Sequence, residues 1–406
     1  MNSPAQRSTP EEVQAFRGLW VLDPEIHFLN HGSFGACPAE ILDEQRAWRD
    51  RMEREPVLFL ARQLQSHLDG VRERLADFLV CDAGGLVLVP NATTGVNAVL
   101  RSLQLGEDDE VLITNLGYNA CNNAARFVCE RSGARLVTVE VPFPCTGPEE
   151  VLERVLAAVT ERTTIAVLDH ITSATGLVLP IAHLVDALQD RGVDVLVDGA
   201  HAPGQVPLDL GALGAAYYTG NCHKWLCTPK GSAFLHVRAD RRDRVHPTVI
   251  SHGANTERPG ATRLQDQFDW PGTVDFSPWL CIPAALDLFS RAVPEGWDGV
   301  RARNHGFVVE ARARLTAALG IAAPAPEDML ANLVALPLPG DGPEGHGAFD
   351  LDPLHVALFE KHAIEVPVFP GPVQGQRLLR VSGQLYNGDD DLDALLAALQ
   401  AEGVLG

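Results

Sequence analysis

From residue 85 to residue 237 the chain alternates short aliphatic runs with segments whose apolar positions recur every three or four residues. Runs such as Leu86-Val87-Leu88-Val89 and Val195-Leu196-Val197 are rich in β-branched residues and read as strands buried on both faces. Segments 120–132 and 181–191 each carry a single apolar stripe and read as amphipathic helices. The spacing predicts strands at 85–89, 110–114, 135–139, 164–169, 193–198, 215–219 and 232–237. Helices are predicted at 95–102, 120–132, 148–158 and 181–191. Strands alternating with helices of about ten to fifteen residues make βαβ units, so the fold class is α/β with a large, mainly parallel sheet.

The flanks read differently. A short helix at 10–16 precedes a strand at 26–30 that runs into a turn, His31-Gly32-Ser33-Phe34-Gly35, and a helical stretch at 39–79 is broken near Glu55-Pro56. Beyond the sheet, helices at 283–292 and 297–319, strands at 331–337 and 377–382, and a helix at 354–361 describe a smaller α+β domain. Pro337 to Gly347 is a surface loop by its turn residues. The expected division is an N-terminal segment at 1–29 packing with the small domain, a large α/β domain at 30–280 and the small C-terminal domain at 281–406.

Composition narrows the function. With 32 Lys and Arg against 53 Asp and Glu, the net charge of −21 argues against a nucleic-acid partner. Eight cysteines are scattered without a CxxC pair, which suits reduced thiols and a cytoplasmic location. The N-terminus carries no signal-peptide pattern and no apolar run is long enough to span a bilayer, so no membrane partner is expected.

Lysine is scarce: Lys224, Lys230 and Lys361 are the only three. Lys224 lies in Asn221-Cys222-His223-Lys224-Trp225, among bulky residues that imply burial, whereas Lys230 sits in a Pro-Lys-Gly turn and Lys361 on a helix beside Glu360. Burial favours the neutral amine that attacks an aldehyde. Asp198 ends a strand, where an isolated buried carboxylate needs a cation such as a protonated pyridine nitrogen. The same Asp198-Gly199-Ala200-His201 also suits a turn cap, and the residues alone leave both readings open. A lysine to hold the cofactor and a carboxylate for its ring nitrogen together point to pyridoxal 5'-phosphate.

Other candidates fall at strand ends, where open α/β sheets bind ligands. Asn91-Ala92-Thr93-Thr94-Gly95 opens a helix and offers hydroxyls and free N–H groups to a phosphate. Arg380 interrupts the apolar strand Leu378-Leu379-Arg380-Val381-Ser382 and has the donor geometry to grip a carboxylate. His27 and His31 have i, i+4 spacing but no HExxH or CxxC accompanies them, so no metal site is expected.

These segments resemble the class V aminotransferase-like enzymes, and within them the isopenicillin N epimerase-like branch. The resemblance runs from Leu29-Asn30-His31-Gly32-Ser33-Phe34-Gly35 through Pro90 to Asn97, His170 to Ser173, Val197 to His201 and Gly220 to Leu226, and ends at Arg380 to Asn387. It implies the pyridoxal-phosphate-dependent transferase fold type I. It also implies roles: Lys224 binds the cofactor aldehyde, Asp198 partners the ring nitrogen, and His201 and Ser173 lie near the cofactor hydroxyl. Thr93, Thr94, Asn221 and His223 would hold the phosphate, with Gly272 and Thr273 reaching it from the other subunit of a homodimer. Tyr118 stands where a ring stacks on the cofactor, although the acidic residue the family often shows beside it is missing. Asn30, His31 and Arg380 would bind the substrate, Arg380 by its carboxylate.

The reaction implied is removal of the Cα proton from an amino acid or peptide-like substrate. Epimerisation ranks first, a cysteine-type carbon–sulfur β-lyase second, with transamination a further outcome. A cysteine desulfurase would want a cysteine in the C-terminal domain, and none follows Cys281. A regulatory protein that binds the cofactor without turnover is disfavoured by the intact Lys224, Asp198 and Arg380 set.

Overall fold

The computed structural model describes residues 6–342 and 350–405. The first five residues of the N-terminal segment and 343–347 of the predicted loop lie outside them. Twelve strands run in chain order: β1 (His27–Phe28), β2 (Leu86–Val89), β3 (Glu110–Thr114), β4 (Arg135–Val139), β5 (Thr163–Asp169) and β6 (Asp194–Asp198), followed by β7 (Tyr217–Asn221), β8 (Ala233–Val237), β9 (Leu333–Leu338), β10 (Ile364–Glu365), β11 (Val368–Pro370) and β12 (Arg377–Ser382). Seven form one sheet in the order β2-β8-β7-β6-β5-β3-β4, with β8 alone antiparallel to its neighbours.

Alternation along each strand divides the core into two layers. Leu86, Leu88, Leu112, Leu168, Val195 and Val197 face one layer, with helices Leu64–Leu79 and Ile181–Gln189. Val87, Val89, Val111, Ile113, Val167 and Leu196 face the other, with helices Ala92–Ser102 and Asn119–Ser132. Both faces of the sheet are therefore covered by helices, as aliphatic strands in a parallel sheet require.

A second sheet, β11-β12-β9, is antiparallel and places Arg380 opposite Ala335. The N-terminal segment joins this half of the chain: β1 pairs with β10, and Arg17 of helix Pro10–Arg17 forms ion pairs with Asp390 and Asp391. Among the described residues no helix is long and apolar enough to cross a membrane.

Several boundaries move. The predicted strand at 26–30 shrinks to His27–Phe28, and the turn after it is a short helix, His31–Phe34, ended by Gly35 at φ 71°. The helix placed at 95–102 starts at Ala92, because the Asn91 side chain accepts the Thr94 N–H and caps it earlier. The strand at 215–219 lies instead at Tyr217–Asn221, which puts Asn221 at a strand end. The break at Glu55-Pro56 stands, with Pro56 opening a new helical turn.

Candidate active site

Asp169, Asp198 and Asn221 are the last residues of β5, β6 and β7, three adjacent parallel strands, so the chain's polar groups converge on one edge of the sheet. Just past β7, the segment His223-Lys224-Trp225 is clamped by two glycine backbones. A Cβ on Gly35 would lie 2.3 Å from the His223 carbonyl, and one on Gly204, at φ 90°, would lie 2.6 Å from the Trp225 carbonyl. Only glycine permits this approach.

Lys224 is half-buried, and its amine lies 2.9 Å from Nε2 of His201. Burial, then the nearby Arg380 charge, pushes its pKa down to about 8. The other two lysines are exposed: Lys230 donates to the Gly35 carbonyl and Lys361 pairs with Glu402. Asp198 is buried, with Oδ1 accepting the Ala200 N–H and Oδ2 accepting the Cys121 thiol, each at 3.0 Å.

Arg380 is 1% exposed and has no carboxylate partner among the described residues. Its Nη1 donates to the Ser173 carbonyl at 2.7 Å, and its Nη2 to Ser33 Oγ at 3.0 Å and Asn30 Oδ1 at 3.3 Å. Nε is buried and unpaired, while the guanidinium lies 4.7 Å from the centre of the Phe369 ring. Burial lowers its pKa to about 9. A buried cation held only by neutral acceptors is suited to an incoming anion.

Two further substrate-binding candidates lie beside these groups. His31 is fully buried, with Nδ1 2.8 Å from the Tyr386 hydroxyl and Nε2 3.0 Å from the Lys224 carbonyl, so it braces the lysine backbone and has no free edge for a ligand. Asn30 is also buried; Glu365 holds its Nδ2 at 2.7 Å, which turns Oδ1 toward Ser33 and Arg380. Its Oδ1 thereby helps orient the arginine.

The candidate phosphate ligands differ in what they leave free. Thr94 donates both its N–H and its hydroxyl to Asn91 Oδ1, at 2.8 and 3.0 Å, so Thr93 carries the free hydroxyl. Ala92 N–H donates to Asn221 Oδ1 at 2.8 Å, which leaves the Asn221 Nδ2 hydrogens as the free end of that amide. The Nδ1 proton of His223 is given to the Ser232 carbonyl at 2.8 Å, and burial lowers this ring to about 4. Its Nε2 becomes a donor only on protonation, which a neighbouring phosphate favours.

Tyr118 caps helix Asn119–Ser132 and is 45% exposed, its phenol within electrostatic reach of Asp198 and Arg380. Thr273 is exposed, and a Cβ on Gly272, at φ 116°, would meet open space. Sequence reading missed Cys121, Asp169, Trp225 and Glu365. Only Asp169, ending an aliphatic run as Asp198 does, carried a signal there.

This donor set fits pyridoxal 5'-phosphate: an amine of lowered pKa, a buried carboxylate at the neighbouring strand end, and free donors at the start of a helix. No cluster of three metal-ligating side chains occurs among the described residues.

The sequence profile of the aminotransferase class-V family matches residues 40–395. Isopenicillin N epimerase of Streptomyces clavuligerus is 32% identical over 95% of this chain and 97% of its own. A probable chloroplastic L-cysteine desulfhydrase of Arabidopsis thaliana is 32% identical over 93% of this chain and 83% of its own. A C-DES mutant solved with glycine covalently linked to its PLP cofactor superposes with a TM-score of 0.78, at 24% identity, over 96% of this chain and 99% of that one. The architecture is that of the pyridoxal-phosphate-dependent transferases of fold type I. With nearly the whole length matched, the chain belongs to the aminotransferase class-V family.

Proposed function

We propose that this protein uses its pyridoxal 5'-phosphate to invert an amino-acid centre, as an epimerase or racemase of an amino acid or a peptide-like substrate. One observation carries the substrate class: a buried Arg380 without an acidic partner, close enough to the Lys224 amine to lower its pKa. A substrate carboxylate would supply the missing charge, and the planar fork would orient its Cα toward the lysine. When bound, the cofactor supplies an electron sink for the bond broken at Cα.

The chain's residues divide the work. Lys224 takes the Cα proton, and His201 steadies its amine. Asp198 would partner the ring nitrogen, and Ser173 and His201 the cofactor hydroxyl. Thr93, Asn221 and His223, with the Thr94 end of the helix, would hold the phosphate, and Tyr118 would stack on the ring. A proton from solvent, returned to the opposite face, would invert the centre. Gly272 and Thr273 are read as donors to the phosphate of a partner subunit in a homodimer, which accounts for their exposure here. Eight free cysteines support a cytoplasmic location.

Inversion is placed first on the whole-length likeness to the Streptomyces epimerase, 97% of which is covered. A cysteine-type carbon–sulfur β-lyase is the second reading, supported by that desulfhydrase likeness. One experiment separates them: single enantiomers incubated in deuterium oxide, followed by chiral chromatography and by sulfide and pyruvate assays. The expected result is the opposite enantiomer with deuterium at Cα. Sulfide and pyruvate from cysteine without inversion would establish the lyase, and a keto acid without sulfide would establish transamination.

A further inference from the structure

β5 and β6 are parallel neighbours in register, with Asp169 directly beside Asp198. Side chains at paired positions of adjacent strands leave the sheet on the same face. Both carboxyl groups are buried, and no arginine or lysine donates a hydrogen bond to either among the described residues. The ionisable groups facing the pair are Tyr118 and Cys121 from helix Asn119–Ser132, Tyr218 on β7 and Lys224 after it. None is a permanent cation: the Lys224 amine titrates at about 8, and burial keeps both phenols and the thiol protonated.

Two adjacent buried carboxylates repel one another, so such a pair carries one charge rather than two. The surroundings of the two acids differ. Asp198 receives the Ala200 N–H and the Cys121 thiol at 3.0 Å, and the Lys224 amine feels its charge more strongly than that of Asp169. At Asp169 burial, followed by the Asp198 charge, outweighs the hydrogen bonds it accepts from the backbone and raises its pKa well above the ordinary value.

We propose that Asp169 and Cys121 are positioning residues for Asp198: Asp169 is the neutral acid of the pair, and the Cys121 thiol fixes the plane of the charged one. A single, oriented carboxylate thus meets the cofactor's ring nitrogen. A second charge would raise the cost of burying the pair, and an unfixed carboxylate could turn its oxygens away from the ring. The proposal rests on the reading of Asp198 as the partner of that nitrogen, but its first test needs neither cofactor nor turnover.

Infrared spectra of the cofactor-free protein at neutral pH should contain a protonated-carboxyl band that disappears in Asp169→Asn. The same spectra should contain a hydrogen-bonded S–H band that disappears in Cys121→Ala. Absence of the carboxyl band, or its survival in Asp169→Asn, overturns the neutral assignment. Should Asp169→Asn fail to fold, carbon-13 labelling of aspartate in the unaltered apoprotein reads the same protonation state by NMR. Cofactor affinity tests the second half: Cys121→Ala should bind pyridoxal 5'-phosphate about tenfold more weakly, with Cys121→Ser restoring most of the loss. Equal affinity in Cys121→Ala, or no recovery with Cys121→Ser, overturns the role of the thiol. Failure of inversion assays with these spectra intact would count against the proposed reaction alone.

Discussion

The amine of Lys224 lies 2.9 Å from Nε2 of His201, and the indole N–H of Trp225 donates to the other nitrogen of that ring at 3.3 Å. An indole nitrogen can only donate, so Nδ1 is the acceptor and the ring proton sits on Nε2. Burial keeps the imidazole neutral, its pKa well below the ordinary value. His201 therefore donates to the lone pair of a neutral lysine, and its effect adds to the burial that brings the amine to about 8.

Capture of the cofactor aldehyde by apoprotein needs that lone pair. Its rate should rise with pH and level off above about 8, the pKa to which Lys224 is lowered. His201→Phe removes a donor to the neutral amine and should move the midpoint upward. Stopped-flow mixing across a pH series reads both, and a downward shift would put the shared proton on the lysine instead.

Replacing Arg380 by alanine should weaken amino-acid binding by ~2–5 kcal/mol, the usual cost of truncating one side of a buried charge pair. Amine analogues without a carboxylate should lose little. The ratio of the two, measured by spectral titration of the cofactor, controls for damage to the fold; equal losses would remove Arg380 from the substrate site.

Asp198→Asn should still hold the cofactor but slow Cα proton exchange by about a thousandfold, ~4 kcal/mol at ~1.4 kcal/mol per decade. Deuterium incorporation by mass spectrometry checks this. Exchange at the rate of the unaltered protein would reduce Asp198 to a cap for Ala200.

His31→Ala should act on stability first. It strands the Tyr386 hydroxyl and the Lys224 carbonyl, each buried polar group costing ~1–3 kcal/mol. A lowered Tm by calorimetry is expected, whereas a change confined to substrate KM would restore His31 to the binding surface.

If the phosphate site is shared between subunits, a Lys224→Ala chain mixed with a Thr273→Pro chain should recover part of the activity. Some heterodimers then keep one site with both Lys224 and an intact Thr273. No recovery in dimers shown by native mass spectrometry to have exchanged would mean each site is built within one chain.

Much of this molecule was legible in the residues alone. The aliphatic runs separated by single-stripe helices dictated a covered parallel sheet, since such strands have no polar face to offer water. Lys224 and Asp198 stood out because a buried amine and a buried carboxylate both demand a chemical reason. What sequence could not rank were groups whose meaning depends on their neighbours. His31 and Arg380 are both polar residues in apolar company, yet His31 is spent on Tyr386 and the Lys224 carbonyl while Arg380 has no counter-charge among the described residues. Thr93 and Thr94 are chemically alike, but the Asn91 cap takes only the Thr94 hydroxyl. Cys121 and Asp169 meet Asp198 only because a helix end and two strand ends are brought together across long stretches of chain. Local pattern sets which elements form, because periodicity is a property of consecutive residues; hydrogen-bond satisfaction at the site is decided between distant ones, and only the folded chain specifies it.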